Sequence, residues 1–175
     1  MSDGLIRDLA VIRRRSAKHV NEDLRFRNFL KIRLNMKDEK LDATVREVTD
    51  EVWSQIDCKI CANCCRTLQI EVNDDDITRL AARFEITPGE FVERYVEEPE
   101  PHTRMLRSQP CVFLGEDNLC AVYEDRPDDC RGYPYLHRDG FRQRTFSMID
   151  NAAACPIVFN VWDGLKDRLR FRRRR

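Results

Sequence analysis

The chain has 175 residues, the size of one domain with room for a helical appendage. It is 42% hydrophobic and 35% charged, with a formal net charge of zero. That balance suits a globular protein with a charged surface and excludes any global pull towards nucleic acid or an anionic membrane.

No secretory signal is expected in residues 1–16. The longest apolar run there, residues 9–12, is too short for a signal core, and Asp3 and Asp8 flank it. The most apolar later stretch, residues 152–162, is too short to span a bilayer and contains Pro156 and Asn160. A cytoplasmic protein with no membrane partner is expected. In that reducing compartment a patterned cysteine set points to metal binding or catalysis rather than to disulfides.

Residues 1–57 read as helical. Leu5, Ile6, Leu9 and Ile12 recur at helical spacing, and a second helix is expected from a cap at Asn21 through Leu24, Phe26, Phe29, Leu30 and Leu34. A third starts near Asp38 and carries Leu41, Val45, Val48, Val52 and Ile56 at steps of four, three, four and four. It delivers the chain to Cys58. The basic group Arg13, Arg14 and Arg15 reads as a solvated helix face.

Residues 67–72 alternate and predict a short strand. Asn73, or one of Asp74, Asp75 and Asp76, then caps a helix with Ile77, Leu80, Ala81 and Phe84. This is a better fit to the acidic triplet than a calcium loop, which needs a fuller set of spaced ligands. Thr87-Pro88-Gly89-Glu90 carries a capping box with proline at the first helical position. From about residue 103 short strands and turns are expected: a hairpin over 111–123 about the turn 115–118, and a second one turning at 138–140 and running on to Ile149. Residues 157–169 predict a closing helix. Residues 168–175 hold six arginines and read as a disordered, solvated tail, with RNA or an acidic partner as the lesser alternative.

The chemistry concentrates in the cysteines. Cys58, Cys61 and Cys64 form C-x2-C-x2-C, followed directly by Cys65; Cys111, Cys120, Cys130 and Cys155 complete the eight. Two cysteines separated by two residues bring thiolates to one point across a single turn, the spacing of many zinc sites. The triple repeat matches the wrapping of a cubane iron–sulfur cluster, and Cys155-Pro156 matches the remote Cys-Pro of bacterial ferredoxins. Cys65 departs from that pattern, and adjacent side chains are expected to diverge. Eight thiolates suffice for two four-thiolate sites, or for one cluster and one zinc; spacing does not fix the pairing. Core cysteines do not come in x2 repeats, so buried apolar cysteines are the weaker explanation. Arg66, Arg126 and Arg131 stand near the cysteines in sequence, where positive charge lowers a thiol pKa and offsets thiolate charge. Gly132 allows backbone N–H groups to approach sulfur. His19, His102 and His137 read as exposed, and Tyr123, Tyr133 and Tyr135 as packing around the metal core.

The run Cys58-x2-Cys61-x2-Cys64-Cys65, with Pro110-Cys111, Leu119-Cys120-Ala-Val-Tyr123, Arg126-Pro127-x2-Cys130-Arg131-Gly-Tyr133-Pro134 and Cys155, resembles the CxxCxxCC cysteine-cluster family of YkgJ-type, zinc- or iron-chelating domains. The likeness covers about residues 55–160. It implies metal binding through those cysteines and settles no reaction. A related cluster occurs in flagellin lysine N-methylases, but this chain has no glycine-rich loop for S-adenosylmethionine or a dinucleotide.

The expected architecture is α+β: an N-terminal helical extension (1–57), a small metal-centred cysteine domain (58–160), and a C-terminal helix end with the arginine tail (161–175). The expected cofactor is an iron–sulfur cluster, 4Fe–4S first, with Zn2+ as the alternative. The expected function is redox or electron transfer with a redox or protein partner. The alternative is a structural zinc module that contacts a protein or RNA. A thiol enzyme in which Arg66 activates a free Cys65 is the third possibility.

Overall fold

The computed structural model describes residues 4–172. In chain order it forms α1 (Leu9–Asn28), which runs on through a π-helical turn at Phe29–Arg33, and α2 (Asp38–Trp53). The single-turn helices α3 (Cys58–Cys61) and α4 (Asn63–Thr67) follow, then α5 (Asp74–Arg83) and α6 (Pro88–Tyr95). Next come β1 (Val96–Glu100), β2 (Thr103–Leu106), α7 (Asp128–Gly132), α8 (Thr145–Ala154) and α9 (Pro156–Arg168). The architecture is α+β with helix predominating. None of the described helices is long and apolar enough to cross a membrane. The chain divides into two compact units: one takes the chain up to Cys58 and from Pro134 onward, the other is Lys59–Tyr133.

In the first unit α1 packs on α8 and α9, and α2 packs on α9. The Asp8 carboxylate starts α1 by accepting from the backbone N–H groups of Ala10 and Val11. The break expected at Asn21 does not occur. One face of the helix stays buried throughout, at Ile12, Ser16, Asp23 and Phe26, so the tertiary contact carries the helix across the polar middle. In α2 the predicted stripe members Leu41, Val45, Val48 and Val52 are buried, while the fifth, Ile56, is buried beyond the helix end at Trp53.

The hairpin expected at 138–149 is helical instead. Gly140 takes φ 78°, Phe141–Arg144 forms a 3-10 turn, and α8 follows. The buried Asp42 carboxylate accepts from the backbone N–H groups of Gly140 (2.8 Å) and Phe141 (2.9 Å), which satisfies the free donors of a helical start. Phe141, Thr145, Met148 and Ala152 are then buried at steps of four, three and four, a helical period. The predicted closing helix is α9. The disorder expected from residue 168 is corrected over the described part of the tail. Arg168 pairs with Glu51 at 2.7 Å, and the Phe171 ring lies 5.1 Å from Phe26 and 5.5 Å from Phe29. Arg173, Arg174 and Arg175 lie outside the described residues.

The second unit is built on an antiparallel β1–β2 pair, with Val96 opposite Leu106 and Glu97 opposite Met105. The strand expected at 67–72 reduces to one bridge between Glu71 and Met105. Around it Val72 N–H donates to the Arg104 carbonyl and Leu106 N–H to the Ile70 carbonyl, both at 2.9 Å. The hairpin expected over 111–123 likewise reduces to a tight turn. Gly115 N–H donates to the Leu119 carbonyl at 2.8 Å, with one bridge between Leu114 and Cys120. Ile70, Val72, Ile77, Leu80, Phe91, Val96, Leu106, Phe113 and Val122 form the core. The rings of Phe84, Phe91, Tyr95 and Phe113 meet with centroids 5.0–6.4 Å apart. The predicted capping box of Thr87 with Glu90 is present, and of the candidate caps for α5 the structure uses Asn73, which forms a second capping box with Asp76.

Candidate metal centre

Cys58 and Cys61 open and close the one-turn helix α3. The i, i+3 spacing sets them on the same side of that turn. Cys58 is exposed and Cys61 half-buried. Ala62 then takes the left-handed conformation, φ 47°, while 4% exposed. That residue ends one turn and begins the next, so α4 starts at Asn63 and carries Cys64 and Cys65. Thr67 Oγ1 donates to the Asn63 carbonyl at 2.8 Å, which tightens the second turn. The sulfurs of Cys64 and Cys65 lie 4.0 Å apart. The divergence expected of neighbouring side chains is not what the structure has.

A backbone bond brings the later cysteines to this doublet: Cys111 N–H donates to the Cys65 carbonyl at 2.7 Å. Cys120 lies nine residues on, at the far side of the 115–119 turn. Cys130 rides on α7. That helix is tethered to α5 by Asp76, whose Oδ1 accepts from Asp128 N–H at 3.0 Å while Oδ2 accepts from Asn73 N–H. Arg79 completes the tether. Its guanidinium pairs with Asp76 at 2.5 Å and donates to the carbonyls of Asp125 and Arg126. Cys111, Cys120 and Cys130 pack against the hydrophobic core of the unit. Tyr123 sits between two cations, with Lys59 Nζ 4.7 Å and the Arg126 guanidinium carbon 3.9 Å from its ring centroid. This clasps the residue after Cys58 to the segment after Cys120.

The thiols sense one another. Burial pushes the Cys130 thiol up to about 12, and the charges of Cys111, Cys65, Asp129 and Cys120 add to the effect. Burial also raises Cys111 and Cys120, each with Cys65 among the contributing charges. Cys65 goes the other way. The hydrogen bond with Cys64 and the charge of Arg66 hold it down at about 7, against the cost of burial. Arg126 favours the thiolate of Cys120. No arginine lowers Cys130, contrary to the expectation from sequence proximity: Arg131 turns away to the carbonyls of Glu124 and Arg126.

Among the described residues, no three His, Cys, Asp or Glu side chains converge tightly enough, as they stand, to hold a metal ion. The chemistry of the donor set fits a soft cation all the same. Cys65, Cys111, Cys120 and Cys130 repel one another as thiolates in a partly dry setting, and a bound cation removes both penalties.

The remaining expected residues fall elsewhere. Cys155 is buried at the start of α9, where Pro156 takes the first helical position, so the Cys-Pro pair is also a helix start. His137 Nε2 lies 2.9 Å from Asp50 Oδ1, and its ring lies 5.6 Å from that of Trp53. His19 stands 4.0 Å from Glu22, and His102 is exposed in the β1–β2 turn with φ 66°. The tether made by Asp76 and Arg79 was not foreseen. The sequence offers Asn73 or one of Asp74, Asp75 and Asp76 as a helix cap only; the contact to Asp128 spans 52 residues.

The family model for CxxCxxCC, described as "putative zinc- or iron-chelating domain", matches residues 57–156, more than half of the chain. No curated protein and no solved structure matches it. With the family model running from Asp57 to Pro156 across all eight cysteines, the chain belongs to the CxxCxxCC family and carries a metal-chelating domain.

Proposed function

We propose that the chain holds an iron–sulfur cluster of the 4Fe–4S type in a redox or electron-transfer role. The observation that carries this reading is the thiol set within Lys59–Tyr133. Cys65, Cys111, Cys120 and Cys130 sense one another there, and Cys61 and Cys64 lie on the adjoining turns. Six thiols in one unit are enough for the four that a 4Fe–4S cluster takes. The C-x2-C-x2-C repeat is a cluster-wrapping pattern. The proposed metal ligands are drawn from the eight cysteines, Cys58, Cys61, Cys64, Cys65, Cys111, Cys120, Cys130 and Cys155, with four thiolates to a cluster. A bound cluster supplies one-electron transfer at a potential that protein hydrogen bonds and burial tune. The chain's own residues hold the sulfurs on short turns, shield three of them with the core, and place Arg66 and Arg126 to offset negative charge. Reduced thiols require a reducing compartment, so a cytoplasmic location belongs to the same reading.

A second reading rests on the quartet itself. Four mutually interacting thiols are the number of a structural zinc site, which would make this a folding module that presents a surface to a partner.

Iron, zinc and acid-labile sulfide are measured on protein purified without oxygen, together with its visible spectrum. Iron and sulfide in equal amounts with a visible charge-transfer band support the cluster. Zinc without sulfide replaces it with the zinc module. Neither metal, with eight titratable free thiols, ends both readings.

A further inference from the structure

Helix α1 carries two polar residues on its buried face, Ser16 and Asp23, where an apolar stripe is the rule. They line a cavity of about 60 Å3 bounded also by residues of α8 and α9. Lys166 is 3% exposed in its wall. Its Nζ lies 2.6 Å from Asp23, 2.7 Å from Glu22 and 3.8 Å from Asp163. Asp23 Oδ1 also accepts the indole N–H of Trp162 at 2.9 Å. Ser16 is 8% exposed, and its Oγ is buried with no hydrogen-bond partner among the described residues. A buried hydroxyl left in that state is destabilising unless something in the cavity meets it.

We propose that this cavity binds a small primary alkylammonium ion. The sign of the charge follows from the lining. Glu22, Asp23 and Asp163 bring three carboxylates against two fixed cations, Lys166 and Arg15, with Arg15 exposed and screened by solvent; His19, also in the wall and 4.0 Å from Glu22, adds a third cation only when protonated and is itself exposed to solvent. An anion would have to approach all three carboxylates; a cation meets the surplus. Ser16 Oγ and the carboxylates accept the ammonium N–H donors. The ring of Trp162 attracts a cation on its face, and Phe159 and Ala152 receive the alkyl end. The volume admits only a few heavy atoms. No cysteine is among the residues that line this cavity.

The full chain, as purified with its metal, is titrated with ethylammonium chloride at constant ionic strength. Trp162 fluorescence is read in a Trp53→Phe background, because the chain has two tryptophans. A saturable change is expected, with none from potassium phosphate or from tetraethylammonium, which is too large. Ser16→Ala is expected to raise the half-saturation concentration roughly 3- to 10-fold, the loss of one hydrogen bond. Ser16→Leu fills the space and is expected to abolish the response. If that variant fails to fold, Ser16→Ala still decides. No saturable response to ethylammonium, an equal response to phosphate or tetraethylammonium, or an unchanged half-saturation in Ser16→Ala overturns the proposal.

Discussion

At the scale of single residues, Ala62 and the thiols of Cys65 and Cys130 carry the sharpest expectations. Ala62 holds φ 47° while buried between two cysteine-bearing turns. A β-branched side chain is strongly disfavoured there, so Ala62→Val is expected to cost about 1–3 kcal/mol, while Ala62→Gly stays within about 1 kcal/mol of the parent. Chemical denaturation of both variants checks this. The two thiols titrate in opposite senses in the metal-free, reduced chain. Cys65 is held down at about 7, below its unfolded value of 9.0, so its stabilising contribution is complete above 9.0 and lost as pH falls through about 7. Cys130 is pushed up to about 12, so the fold keeps a proton that the unfolded chain releases near 9.0. Its contribution is complete below 9.0 and lost as pH rises towards about 12. Denaturation midpoints between about pH 6 and about pH 10 are expected to flatten on the acid side in Cys65→Ser and on the alkaline side in Cys130→Ser. Parallel curves for both variants and the parent would remove this assignment.

At the scale of elements, the buried carboxylates set where helices begin. Asp76 completes the capping box that Asn73 opens on α5 and also tethers the first residue of α7, the helix of Cys130. Asp76→Ala removes a cap, an ion pair with Arg79 and the tether at once. It is expected to lower stability by about 2–4 kcal/mol and to speed metal loss to a chelator, read from denaturation midpoints and from the rate of metal release. Unchanged metal release in a destabilised variant would confine Asp76 to capping. Asp42 works in the same way for the 3-10 turn that leads into α8. Its replacement by alanine leaves two helix-start donors of Gly140 and Phe141 without their acceptor and is expected to cost about 1–3 kcal/mol. This was the place where the sequence pattern misled. The stretch 138–149 offers Asp139-Gly140 as a turn followed by mixed residues, and only the arrival of Asp42 from 98 positions away turns it into a helical start.

At the scale of the whole molecule, the two compact units differ in what holds them. The unit containing α1, α2, α8 and α9 has a helical core with Phe26, Val45, Phe141, Val161 and Leu165 almost fully buried. The unit at Lys59–Tyr133 has shorter elements and places Cys111, Cys120 and Cys130 against its core. Metal removal is therefore expected to raise backbone hydrogen exchange at 59–133 by at least about tenfold, with much smaller changes in α2 and α9. Exchange followed by mass spectrometry before and after chelation checks this; uniform loss of protection along the chain would mean that the metal supports both units equally.

The sequence by itself determined the α2 stripe, the Thr87–Glu90 capping box, the closing helix α9 and the cysteine pattern that marks the family. The helical features are each written within about fifteen neighbouring positions, where periodicity acts, and the cysteine pattern is a spacing legible in the bare sequence from Cys58 to Cys155. The tertiary structure alone decided that α1 runs unbroken past Asn21, that 141–154 is helical, and that Arg131 turns to backbone carbonyls although it follows Cys130 in sequence. It also decided that Ser16 and Asp23 face inward beside a buried Lys166. These outcomes rest on contacts between residues far apart in the chain. A carboxylate that meets a distant N–H, or a helix face covered by a later helix, overrides local propensity because burial and hydrogen-bond satisfaction outweigh the few tenths of a kcal/mol by which ordinary residues differ in propensity.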